Sequence, residues 1–329
     1  MKLSQLTEFS QITIQCHDNP DADAIAAGFG LFCFFKEAGV EVRLVYAGRN
    51  RIGKTNLCMM IEKLKIPITY LEDTETPIRG LLLMVDCQYG GGNVTRLSAE
   101  HVAEIDHHTS NTVETVETEL SEIHPSLGSC ATLVWQMLLE EDFDFMGQSR
   151  LGTAFYYGLF NDTNQFAEIY NPLDMEMRDR IPCDKQLITQ FRNSTLSLKE
   201  LETAGIALIR QNYNSEGHFT VIHAEPCDPN LLGLISDFVL QVDEIHSCVV
   251  YSEQPDGYKF SVRSCVSQIS AAKMAEYLAV GIGSGGGHVE KAGGFLSRSK
   301  YEKTIGDIST EKYFKDKIMN FLSEGTGHP

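Results

Sequence analysis

The chain has 329 residues, 43% of them apolar, with 27 Lys and Arg against 45 Asp and Glu and a formal net charge of −18. At about 100–200 residues per domain that length predicts two domains, and the charge excludes a protein that wraps long duplex nucleic acid, because such binding neutralises many phosphates with cations. No stretch approaches the ~18 uninterrupted apolar residues of a membrane span, and the first residues lack the charged-then-apolar order of a signal peptide. Nine cysteines without a C-x-x-C pair add the expectation of a cytoplasmic protein with reduced thiols and no membrane partner.

Ile12, Thr13 and Ile14 read as a short buried strand, and residues 24–38 as a helix stopped by Gly39. Between them runs C-H-D-N-P-D-A-D-A-I-A-A-G, residues 16–28, with His17, Asp21 and Asp23 on the strand-to-helix loop. A residue before proline is pushed out of the α region, so Asn19-Pro20 turns the chain and folds both aspartates back toward the strand end. Carboxylates this close repel unless a positive charge sits between them, which points to a metal. An acidic turn capping the helix, which Asp23 could do alone, stays open on this stretch by itself.

A strand over residues 42–46, a helix over 55–65 and an apolar strand over 81–85 follow. That alternation predicts an α/β domain with a mostly parallel sheet and a site beyond the carboxyl ends of its strands. Asp86 stands at such an end, and Gly90-Gly91-Gly92 after it read as loop rather than phosphate cradle, since no helix clearly starts there. Residues 101–105 then deliver Asp106-His107-His108, followed by Thr109-Ser110-Asn111, to another strand end. In such a cluster one imidazole can ligate a metal, the carboxylate can fix its tautomer, and the second imidazole can face substrate.

Helices are expected over 129–140 and 150–160, the second running into N-D-T-N, where Asp162 is the next candidate ligand. The pattern weakens over 171–198, with Pro172 and Pro182, and a connecting helix is expected over 199–210. A smaller α/β unit follows: strand 219–224, helix 229–240, strands 247–252 and 258–263, and helix 270–278. It ends in G-I-G-S-G-G-G-H-V-E-K-A-G-G-F, where five glycines precede His288. Such a glycine turn allows close backbone approach to a ligand and can offer N–H groups to an anion; by itself that signal is weak and a plain turn with a solvent-facing histidine is the simpler reading. Basic residues gather in this late part, while His101, His124, His218, His223 and His246 read as packing or surface residues and His328 as part of a loose tail.

Taken together, His17, Asp21, Asp23, Asp86, His107 and Asp162 form an N/O ligand set sized for two octahedral divalent cations, one carboxylate bridging. Such shells suit Mn²⁺ or Mg²⁺ better than zinc.

With these motifs the chain resembles the DHH phosphoesterases: H-D-N-P-D-A-D-A-I from His17, V-D-C from Val85, D-H-H from Asp106 and F-N-D-T from Phe160, in that order. The late segments S-V-R-S from Ser261 and G-G-G-H-V-E-K-A-G-G from Gly285 resemble the DHH-associated C-terminal domain. The family often has threonine before the last aspartate and glycine after the following threonine, where this chain has Asn161 and Asn164; that departure touches substrate fit more than metal binding. The resemblance implies two α/β domains: a catalytic domain with a mostly parallel sheet over residues 1–190, a connecting helix over 191–215, and a smaller substrate-binding domain with a mixed sheet over 216–329. The active site would lie in the cleft between them.

The resemblance further implies that His17, Asp21 and Asp86 hold one Mn²⁺ (Mg²⁺ the alternative) and that Asp23, Asp86, His107 and Asp162 hold the other. Asp106 would act from behind the ligands and His108 would contact the scissile phosphate. Arg263, Ser264, Gly286, Gly287 and His288 would bind the rest of the substrate. Lacking the extra domains of longer relatives, the chain resembles the compact oligoribonuclease, or nanoRNase, type. It is expected to hydrolyse short RNA or DNA oligonucleotides and linear dinucleotides such as pApA or pGpG to mononucleotides, with 3′-phosphoadenosine 5′-phosphate as a further substrate. The alternatives are a soluble cyclic-dinucleotide phosphodiesterase and, from another class, a catalytically weak nucleotide-binding or scaffold protein. A monomer or homodimer is expected.

Overall fold

The computed structural model describes residues 2–109, 118, 120–145 and 147–325; Ser110, Asn111 and the tail at His328 lie outside the described residues. The chain divides into two compact units, Met1–Leu196 and Ser197–Pro329. The division falls inside the connector expected over 191–215, and the helix expected there packs within the second unit.

In the first unit a short 3-10 helix, Leu3–Glu8, precedes β1 (Gln11–Cys16), α1 (Ala22–Glu37), β2 (Glu41–Tyr46), α2 (Thr55–Leu64), β3 (Ile68–Tyr70), β4 (Ile78–Val85), β5 (Ala99–Asp106) and β6 (Leu120–Ile123). Helices α3 (Cys130–Glu140), α4 (Ser149–Asp162), α5 (Pro172–Arg180) and α6 (Lys185–Arg192) complete it. The strands form one sheet in the order β3-β2-β1-β4-β5-β6, and every pairing is parallel. The direction of winding reverses between β1 and β4, the kind of crevice in which doubly wound sheets place their ligands.

The apolar run in β4 follows from a sheet covered on both faces. Leu81, Leu83 and Val85 face a core shared with α1, α3 and α4, whereas Leu82 and Met84 pack on the other face against Cys87, Tyr89, Val94 and Leu97 of the loop after β4. All five are essentially buried, each such side chain contributing roughly 1.5–3 kcal/mol. Helix α1 is buried from Ala22 to Leu31 because α3 and α4 both pack on it. Small residues permit that approach: a Cβ on Gly158 of α4 would lie 3.1 Å from both Ala26 Cβ and Asp23 Oδ1.

The stretch 171–198, expected to be weakly structured, contains α5 and α6. Both start on side-chain caps, Asn171 before Pro172 and Asp184, which replace an apolar stripe as the helix signal. Helix α5 buries only Asp174 and Met177, so its periodicity is faint.

The second unit comprises α7 (Leu198–Ile209), β7 (Asn212–Asn214), β8 (Phe219–Ala224), α8 (Pro229–Val239), β9 (Ser247–Gln254), β10 (Gly257–Ser264), α9 (Ala271–Ala279), β11 (Gly283–Gly287), β12 (Lys291–Ser297), α10 (Arg298–Ile305) and α11 (Thr310–Gly325). Its sheet runs β11-β12-β10-β9-β8-β7 and is mixed: β8 and β9 are parallel, the remaining pairs antiparallel. The glycine run expected to be a turn is instead an edge strand, β11, with Gly285 opposite Gly294 and Gly286 opposite Gly293. Packing explains the composition: a Cβ on Gly285 would come within 2.2 Å of the Ala275 carbonyl of α9.

All nine cysteines are free thiols. No helix among the described residues is long and apolar enough to cross a membrane.

Candidate metal centre

The loop after β1, the ends of β4 and β5, and the last turn of α4 converge at the switch point. Asp21 is the N-cap of α1, its Oδ1 accepting from the Asp23 and Ala24 amides at 2.9 and 3.1 Å. The cap that Asp23 could have supplied belongs instead to Asp21, and Asp23 is the second residue of the helix. There its wholly buried carboxylate receives a second helix terminus: Cys130 N donates to Oδ2 at 2.6 Å and Ala131 N to Oδ1 at 2.9 Å. Free amides at the start of α3 thus offset part of that charge.

Asp86 leaves β4 in the left-handed region, φ 60°, a conformation that costs roughly 1–2 kcal/mol and that Asp tolerates better than most residues. Its amide donates to Ile105 O at 3.0 Å, which fixes the bend. At the end of β5, Asp106 Oδ1 accepts from the His107 and His108 amides at 2.8 and 3.2 Å and from His108 Nδ1 at 2.9 Å. Asp162 closes α4. It is followed by three left-handed residues, Asn164, Gln165 and Phe166, with φ of 48°, 59° and 70°. The Phe166 ring, 5.1 Å from Tyr156 and 5.2 Å from Phe160, pins that turn. Asn164 stands where the resemblance leads one to expect glycine, and its backbone keeps a conformation that glycine and asparagine both adopt readily.

The six sequence-predicted ligands fall into two groups of donor atoms, His17-Asp21-Asp86 and Asp23-His107-Asp162, the atoms of each group within 4.8 Å of one another. Asp86 reaches both: Oδ2 is 3.7 Å from His17 Nε2 and Oδ1 is 3.5 Å from His107 Nε2. His107 Nε2 also lies 3.8 Å from Asp23 Oδ2 and 3.1 Å from Asp162 Oδ2.

The chemistry of these atoms fits divalent cations. His107 directs Nδ1 at the Leu127 carbonyl, 3.1 Å away, so in the neutral ring Nδ1 carries the proton and Nε2 the lone pair, as in a metal-ligating histidine. Both Nε2 and Asp86 Oδ1 are buried without a hydrogen-bond partner. Burial first, then Asp23 and Asp21, pushes the Asp86 carboxyl well above the ordinary range, and burial with Asp162 does the same to Asp23. Burial lowers His17, whereas at His107 burial is outweighed by Asp162 and Asp23, which raise it. Unbalanced negative charge is costly here, and a cation among hard oxygen and imidazole donors offsets it. Burial and the same carboxylates push the Cys16, Cys87 and Cys130 thiols up, so these neighbours stay protonated and are poor ligands.

Three positioning elements escaped sequence reasoning. Gln88 Nε2 donates to Asp106 Oδ2 at 2.8 Å, completing that carboxylate's partners. The segment 127–131 holds His107 through a carbonyl and Asp23 through two amides. Asp174 of α5 in turn holds that segment, accepting from Gly128 N at 2.8 Å. The Ser129 cap of α3 was a readable signal for the second; Gln88 and Asp174 carried none.

The remaining predicted residues lie in the second unit. Arg263, at the end of β10, gives Nε to Asp237 Oδ1 at 2.6 Å and Nη1 to Ser261 Oγ and Val262 O, so part of its fork is engaged. Ser264 is buried, its hydroxyl 3.2 Å from Val266 O. Gly286 and Gly287 end β11, and exposed His288 opens the loop to β12, with its amide bonded to Lys291 O at 2.7 Å.

Residues 11–159 match the family model described as the DHH family, N-terminal domain. Over 331 aligned residues the chain is 26% identical to an uncharacterized protein of Methanocaldococcus jannaschii, covering 99% of this chain and 67% of that one. Among solved structures, an exopolyphosphatase-related protein from Bacteroides fragilis superposes with a TM-score of 0.71 at 17% identity, covering 98% of this chain and 96% of that one. The exonuclease RecJ bound to manganese superposes with a TM-score of 0.52 at 16% identity, covering 99% and 94%. At these identities the likeness is one of fold, and it extends to both α/β units.

Proposed function

We propose, from the match of residues 11–159 to the DHH-family N-terminal domain, that this chain is a two-metal phosphoesterase that hydrolyses short oligonucleotides and linear dinucleotides to mononucleotides. The observation that carries the reading is the double reach of Asp86: one buried carboxylate stands between two groups of N/O donors and has an oxygen without a hydrogen-bond partner facing His107 Nε2. His17, Asp21 and Asp86 would hold one cation, and Asp23, Asp86, His107 and Asp162 the other. Mn²⁺ suits this mixed shell, with Mg²⁺ the alternative, and the RecJ structure is described as bound to manganese.

Cations in that place supply positive charge for the attacked phosphoryl group and the acidity that makes water a nucleophile at neutral pH. The protein's own groups do the rest. Asp106 accepts a hydrogen bond from Nδ1–H of His108, leaving Nε2 of that half-exposed ring to accept or return a proton beside the phosphoryl group. Asp106 stays charged in this role. Burial works against its ionisation, but bonds from His108 and Gln88 hold its carboxyl below the usual range. In the second unit, Arg263, Ser264, Gly286, Gly287 and His288 are proposed to hold the far end of the substrate, with Arg263 exchanging Asp237 for phosphate.

The test is incubation of the purified protein and Mn²⁺ with labelled RNAs of two to ten nucleotides. Cleavage confined to the shortest supports the reading; equal cleavage of all lengths, or none, overturns it.

A further inference from the structure

A cavity of ≈ 260 Å³ opens beside His108, walled by Gln88, Gly91, Gly92, Asn93 and Asp106. Its surface chemistry is specific. The Asn93 side-chain amide, the Gln88 side-chain carbonyl and the glycine backbone supply uncharged donors and acceptors, Gln88 Nε2 being engaged by Asp106 and His108 O, and Thr109 adds a hydroxyl. No Lys or Arg lines it among the described residues, and the one carboxylate in its wall, Asp106, repels anions. A second phosphate would enter this space uncompensated, whereas sugar hydroxyls and base edges would find partners.

The wall is also built in advance. Asp18 accepts from Thr95 N at 2.7 Å and Thr95 Oγ1 at 2.8 Å, and its amide donates to Asn93 O at 2.9 Å. The Tyr89 amide donates to buried Glu104 at 2.7 Å, and Gly91 N to Gln88 O at 2.9 Å. The loop after β4 is thereby fastened at both ends, so a ligand entering here need not order it first.

We propose that this cavity is the subsite for the nucleoside esterified to the attacked phosphoryl group, and that it makes the chain selective for nucleotide phosphoesters over pyrophosphate and inorganic polyphosphate. The proposal rests on the phosphoesterase reading and goes further by naming the uncharged side of the substrate and its seat.

The test uses the full chain with Mn²⁺ and two variants, Gly92→Leu and Asn93→Ala. Gly92 lines the cavity and a Cβ on it meets no atom within 4 Å, so leucine there adds bulk at the cavity wall without displacing backbone. Wild type is expected to turn over pApA at least ~10-fold more efficiently than pyrophosphate or tripolyphosphate, and both variants to lose about 10- to 100-fold in kcat/KM for pApA, mainly through KM. Mn²⁺ binding by calorimetry should be unchanged in both. Tripolyphosphate cleavage as efficient as pApA cleavage, or an unchanged KM in Gly92→Leu, overturns the subsite. Binding of pApA with Ca²⁺ in place of Mn²⁺ separates the two readings. An unchanged Kd in Gly92→Leu removes the subsite, whereas tight binding that weakens in Gly92→Leu, without turnover in Mn²⁺, keeps it and removes the phosphoesterase reading alone.

Discussion

Asp86 Oδ1 and His107 Nε2 face each other at 3.5 Å across the switch point of the parallel sheet, both buried and neither with a hydrogen-bond partner. With the His107 ring neutral, two lone-pair atoms in that relation repel, and a cation between them would relieve the repulsion. Divalent metal is therefore expected to stabilise the fold.

Mn²⁺ at 100 times its dissociation constant should add about 2.7 kcal/mol for one site, read as a rise in Tm by calorimetry and lost with EDTA. Asp86→Asn should abolish the rise while leaving the metal-free protein as stable as wild type or more so, because a buried charge has been removed. An identical Tm with Mn²⁺ and with EDTA in the wild type would remove the metal centre.

Gln88 hydrogen-bonds to Asp106 and to the His108 carbonyl, and so fixes Asp106 and through it His108. Gln88→Leu is expected to lower kcat about 10- to 100-fold, as loss of an outer partner typically does, with Mn²⁺ affinity by calorimetry nearly unchanged. A parallel fall in metal affinity would show that Gln88 supports the ligands instead.

Asp174→Ala would leave the Gly128 amide without its acceptor and loosen the segment that carries the Leu127 carbonyl and the Cys130 and Ala131 amides. A destabilisation of about 1–3 kcal/mol in urea unfolding is expected, together with weaker Mn²⁺ binding. Unchanged metal affinity would confine Asp174 to a role in folding.

At Asn164, φ 48°, Asn164→Gly should be tolerated within about 1 kcal/mol, whereas Asn164→Val should destabilise by roughly 1–3 kcal/mol and slow turnover through Asp162, two residues away. Equal stability of the two variants would mean that the left-handed turn does not matter.

Much of this organisation was legible in the chain itself. The apolar runs of β1 and β4, the Ala-rich α1 and the alternation of strands with helices fix a parallel sheet, since only a sheet covered on both faces buries consecutive residues such as Leu81, Leu82 and Leu83. The predicted ligands were legible because each stands at the end of an element that hydrophobic periodicity already delimits. The second unit's edge was not: β11 contains no apolar side chain, and its glycines answer to the backbone of α9 and β12 rather than to any pattern within the strand.

What the sequence determined by itself is which atoms are offered, the imidazoles and carboxylates at strand ends, because chemistry belongs to residue type and strand ends follow from local pattern. What only the tertiary structure decided is how those atoms divide and what holds them. Asp21 rather than Asp23 caps α1, Asp86 lies within reach of both His17 and His107, and α3 holds Asp23, and Gln88 holds Asp106, from 18 to 108 residues away in sequence. Such contacts depend on which elements the sheet order brings side by side, and no local spacing encodes that.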